Sequence, residues 1–135
     1  MSKAPNAAAM LASSELAGTG VGAGVVGVGV DAVDVPRFRR ILERRPGFAA
    51  RFAAKEAVMK ALGTGLGGFA LTDVEVRRAG GTGPTRDAPS LVLHRAAAAV
   101  AERRGVGPLH LSLTHTTGVA IAFVVAERSR SCSRS

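Results

Sequence analysis

The sequence predicts an α+β domain, a mostly antiparallel sheet with helices packed on one face. Short Val-rich or alternating apolar runs recur near residues 25, 72, 91, 110 and 120. Two stretches rich in helix formers, Phe48 to about Leu62 and Arg95–Arg104, lie between them. The resulting order is strand, two helices, two strands, helix, two strands. A chain of 135 residues, 47% of them hydrophobic, is enough for one such domain and one core.

Each element has its own local reason. Gly24–Val30 is short, Val-rich and ended by Asp31, so it is a strand, and its glycines predict close approach by another backbone. Asp34 followed by Val35-Pro36 suits a helix start, and Pro46-Gly47 ends that helix near Arg45. The helix from Phe48 stops at Gly63, placed as its C-terminal cap. Leu71–Val76 alternates as a half-buried strand does. Ala79–Pro89 is a Gly/Pro loop, Ser90–His94 a short strand, and Arg95–Arg104 a helix ended by Gly105. Leu109–Leu113 and Val119–Val125 form a hairpin around Thr116-Thr117-Gly118. Residues 1–23 are expected to be a flexible N-terminal extension and 128–135 a disordered basic tail, which leaves 24–127 as the folded domain.

Composition excludes several functions. The single cysteine, Cys132, rules out an internal disulfide framework and a Cys-based zinc site, and points to a reducing compartment. The uncharged stretch Ala17–Val30 is Gly-interrupted and shorter than the ~20 residues that span a bilayer. No signal peptide is recognisable, so the expected location is cytoplasmic, without a membrane. A net charge of +8 favours anionic partners. Nucleic acid is demoted, because there is no Trp or Tyr and the five Phe residues look like core rather than stacking platforms.

Four groups of residues are candidates for chemistry or docking. Gly27-x-Gly29-x-x-Ala32 mimics a dinucleotide fingerprint, but its glycines lie inside the strand and not in the turn after it. Asp31 is a carboxylate at a strand end. Arg51, Lys55, Glu56 and Lys60 share one helix that runs into Gly63-Thr64-Gly65. Three cations beside one acid suit a polyphosphate with a divalent metal, and Asp31 with Glu56 would give Mg²⁺ two oxygen ligands. His110, Ser112 and Thr114 fall on one face of a strand, with His115 at its end pointing the other way. Arg37, Arg40 and Arg44 form a stripe, either a solvated face or a dock for an acidic helix.

In this order the clusters resemble the holo-acyl-carrier-protein synthase family of 4′-phosphopantetheinyl transferases. The matching strings are Gly27–Arg37, Arg51–Gly65, Thr72–Val76 and His110–His115. The resemblance implies transfer of 4′-phosphopantetheine from coenzyme A to a serine of an acyl carrier protein, with release of 3′,5′-ADP. It implies that Asp31 and Glu56 bind Mg²⁺ and that Lys60 neutralises phosphate charge. Glu56 is the expected general base, with Lys55 as runner-up. Arg51, Gly63, Thr64, Gly65, His110, Ser112 and Thr114 would line the coenzyme A site. Arg37, Arg40 and Arg44 would dock the acidic helix of the carrier protein. A homotrimer with active sites between subunits is also implied. Relatives carry a longer connection where this chain has only about Glu43 to Phe48. That difference motivates an alternative, an impaired relative that binds coenzyme A or carrier protein without efficient transfer.

Overall fold

The computed structural model describes residues 24–78 and 88–130. The expected N-terminal extension, residues 79–87 of the loop and residues 131–135 of the tail lie outside them.

Strand β1, Val25–Asp34, pairs antiparallel with the last strand, β5, Val119–Arg128. On its other side β5 pairs antiparallel with β4, Val106–His115, giving the order β1-β5-β4. A second, two-stranded antiparallel sheet joins β2, Val74–Arg77, to β3, Ser90–Leu93. The antiparallel expectation holds, with the strands divided between two sheets. Among the described residues there are three α-helices: α1, Arg39–Arg44, α2, Phe48–Ala61, and α3, Arg95–Arg103.

Helix α2 lies across β1 and β5 and forms the centre of the core. Ala53, Ala54, Ala57 and Val58 on it are fully buried. Small side chains let the helix sit close, and the strand answers with glycine. A Cβ on Gly29 would run into the Ala57 carbonyl, and one on Gly27 into the Ala61 carbonyl. Both obstacles are backbone and cannot swing aside. The predicted close approach is therefore the contact of α2 with β1.

Strand β1 runs four residues beyond Val30. Gly29, Asp31 and Val33 face α2 and are buried, whereas Val30, Ala32 and Asp34 face outward. Asp31 thus lies within the strand rather than at its end. The first predicted helix is divided into a 3-10 turn, Val35–Phe38, and the short α1. Its Arg-rich sequence supplies little to bury beyond Phe38 and Leu42. Phe38 packs against Phe48 and Phe52 at centroid separations of 5.4 and 5.2 Å, which anchors this segment to α2.

Leu71–Asp73 is a 3-10 turn where a strand was expected. Asp73 is buried there and accepts a hydrogen bond from Arg95 Nε at 2.8 Å. Strand β4 begins three residues earlier than expected, at Val106, and passes through Gly107-Pro108 with a register shift before Leu109. β4 is an edge strand of its sheet, where a proline is tolerated. The hairpin turn is as expected, with Thr116 Oγ1 accepting from the amides of Gly118 and Val119 at 3.1 Å.

Candidate active site

Packing α2 on β1 sets Asp31, Glu56 and Lys60 together. Asp31 is only 7% exposed. Its Oδ1 accepts from Lys60 Nζ at 3.1 Å, and the same ammonium donates to the Val30 carbonyl at 2.9 Å. Asp31 Oδ2 is buried without a hydrogen-bond partner. Glu56 is half-buried beside it. Burial, and then the negative charge of Asp31, hold the Glu56 carboxyl above the usual carboxylate range, while Lys60 and Arg37 pull the other way. Two acids facing each other, one with an orphaned buried oxygen, suit a hard divalent cation that takes oxygen ligands. Among the described residues no third His, Cys, Asp or Glu joins them. That fits magnesium, which typically uses one or two carboxylates and fills its shell with water and substrate phosphates.

The helix ends where this site opens to solvent. Gly63 N donates to the Lys60 carbonyl and Thr64 N to the Met59 carbonyl, each at 3.1 Å. This is a Schellman turn, and Gly63 takes φ +71°, so the expected glycine cap is present. Gly65 and Gly67 are also left-handed, at φ +73° and +86°.

Lys55 points elsewhere. Burial, then Arg51 and Arg45, lower its pKa from the usual lysine range. Arg45, Arg51 and Lys55 line a depression with Glu75, His94 and Arg95. Arg51 also lines a cavity of about 470 Å³ that reaches His115, Thr116, Arg77 and Arg78. The sequence reading set His115 apart from the other polar residues of its strand, and gave Arg77, Arg78 and Arg95 no role. The signal available for these was the local density of positive charge, which marks an anion site only once the fold has gathered it.

His110, Ser112 and Thr114 do share one exposed face of β4. They are not near Asp31 in the same chain. Asp31 pairs with Ala122 and Ala122 with Leu113, all turned toward α2, while Ser112 pairs with Phe123 on the opposite face. The sheet therefore separates the polar row from the carboxylates. Arg37 lies in the 3-10 turn, and Arg40 and Arg44 lie one turn apart on α1, all three exposed. The Arg37 charge reaches Glu56, so the basic stripe starts beside the carboxylate pair.

Residues 43–124 match the model of the 4′-phosphopantetheinyl transferase superfamily. The chain belongs to that superfamily. Within it, the chain is 46% identical to a holo-[acyl-carrier-protein] synthase of Clavibacter sepedonicus, over 75% of this chain and 94% of the relative. It is 47% identical to one of Frankia alni, over 76% and 98%. A solved holo-(acyl-carrier-protein) synthase from Bacillus anthracis, in complex with CoA (3′,5′-ADP), superposes with a TM-score of 0.57 and 30% identity, covering 78% of this chain and 98% of that one. As a holo-acyl-carrier-protein synthase, the chain transfers phosphopantetheine to an acyl carrier protein. The Clavibacter alignment extends over 121 residues yet uses 75% of this 135-residue chain, so the relative carries positions that this chain lacks.

Proposed function

We propose that Asp31, Glu56 and Lys60 are the transfer centre of this synthase. The observation that carries the reading is the buried, unpartnered Asp31 Oδ2 facing Glu56 beside the Lys60 ammonium. Asp31 and Glu56 would hold Mg²⁺, which when bound draws negative charge from the coenzyme A pyrophosphate. The carrier serine oxygen forms a bond to the phosphorus bearing the pantetheine arm, and the bond from that phosphorus to 3′,5′-ADP breaks. Glu56 is the base that takes the serine proton, directly or through water, and burial beside Asp31 raises its pKa, which makes the carboxylate a better proton acceptor. Lys55, turned toward Arg51 and Arg45, is the weaker candidate. Lys60 would neutralise the charge that accumulates on the departing phosphate.

Arg51 and the Gly63-Thr64-Gly65 turn would bind coenzyme A from this subunit. His110, Ser112 and Thr114 would serve the site of a neighbouring copy, because their own sheet separates them from Asp31. A homotrimer built on the open sheet face supplies that neighbour. Val30 and Phe123 pair across this face at 53% and 45% exposure, which is apolar surface in need of a cover. Arg37, Arg40 and Arg44 would dock the acidic helix of the carrier protein. The lone cysteine in the chain supports a cytoplasmic location.

The positions lacking relative to the Clavibacter protein favour a second reading, an impaired synthase that binds without efficient transfer. Intact-mass spectrometry of apo acyl carrier proteins with this protein, coenzyme A and Mg²⁺ separates the two. A gain of one phosphopantetheine, lost with EDTA, supports the first reading. No gain across several carriers from folded protein supports the second.

A further inference from the structure

Beyond the residues that touch the substrate, we propose that Arg104 is a positioning residue that braces the Gly63–Gly68 turn of the coenzyme A site. The inference rests on the reading of that turn as substrate-binding, and its physical basis lies in the end of α2. The last four carbonyls of a helix have no partner within it. Here Met59 and Lys60 are answered by the amides of Thr64 and Gly63, and Ala61 is pressed against Gly27 of β1. The remaining carbonyl, that of Leu62, accepts from Arg104 Nη1, a side chain 42 positions away.

The seat for that guanidinium is specific. A Cβ on Gly63 would meet Arg104 Nη1 at 2.7 Å. Gly63 is thus needed twice, for its left-handed φ and for the room it leaves. Arg104 itself is fixed from behind. Its amide donates to the Val100 carbonyl at 3.0 Å as the cap of α3, and the next residue, Gly105, accepts from Ser129 N at 2.7 Å just past β5. The ends of α2 and α3 are in this way locked to one another and to the main sheet. A cation at this point also opposes the negative end of the α2 dipole.

The test compares Arg104→Met and Arg104→Lys with the parent protein. The readouts are steady-state transfer and site-resolved amide hydrogen exchange, the latter without substrate. Losing an arginine–carbonyl bond should raise the KM for coenzyme A about ten-fold and leave kcat within about two-fold. Exchange at Thr64–Gly68 should accelerate about ten-fold while the amides of β1 and β5 stay unchanged. Arg104→Lys, which keeps the charge, should recover part of both. Unchanged KM and unchanged exchange in the turn would overturn the proposal, as would faster exchange spread over the whole sheet. If the parent protein transfers nothing, the functional reading fails by itself, and exchange in the turn still decides whether Arg104 braces it.

Discussion

Asp31 and Lys60 are 29 residues apart in sequence and 3.1 Å apart in space, and their contact leaves the second Asp31 oxygen buried without a partner. Asp31→Asn keeps the shape of the side chain and removes the negative charge. It should lower the transfer rate by about 10²–10³-fold, the usual loss when a group stabilising a charged transition state is removed. Added Mg²⁺ should raise the thermal midpoint of the parent protein but not of the variant. Full turnover in both Asp31→Ala and Glu56→Ala would remove the assignment.

Gly29 is the second test, of stability rather than chemistry. Alanine there meets the Ala57 carbonyl. The helix must lift off β1, at a cost of about 1–3 kcal/mol or more. Chemical denaturation should locate that loss, and a variant as stable as the parent would refute the close packing of α2 on the strand.

The basic stripe predicts a carrier-specific defect. Replacing Arg37, Arg40 and Arg44 together with glutamate should raise the KM for carrier protein by at least about ten-fold, and more at low salt than at high salt. The KM for coenzyme A should move little. Equal changes in both constants would mean that the stripe does not dock the carrier.

Glu75 gives a pH dependence. Hydrogen bonds from Arg77 and then His94 hold its carboxyl below the usual range. Its stabilising contribution is present above the unfolded-state pKa and is lost as pH falls through the lower folded-state value. Glu75→Gln should therefore lower the thermal midpoint slightly at neutral pH and converge with the parent protein in acid. The effect is small because the pair is solvent-exposed.

Much of the site was legible because it rests on local chemistry. Glu56 and Lys60 group by their i,i+4 spacing, Asp31 joins Glu56 as an oxygen ligand for a divalent cation, and Gly63 follows from its place after a helical run. The paired glycines of β1 announced a close backbone neighbour, though not which one. What escaped was set by distant partners. Asp31 looked like a strand end because an acid rarely lies within a half-buried strand, and only the pairing of Asp34 with Val119 extends the strand past it. Asp73 broke an alternating pattern because Arg95, 22 residues on, holds it in a turn. His115 was set aside on strand parity, and the same parity turns it toward the Arg51 cavity.

The division of polar groups between the two faces of β1-β5-β4 has a genetic consequence. If each reacting centre joins the carboxylates of one copy to the strand row of the next, two different inactive proteins can repair each other. Asp31→Ala carries an intact row, and a variant lacking His110 and Thr114 carries intact carboxylates. Unfolded and refolded together, they should regain a fraction of parental turnover that neither shows alone, and coexpressed they should behave as complementing alleles.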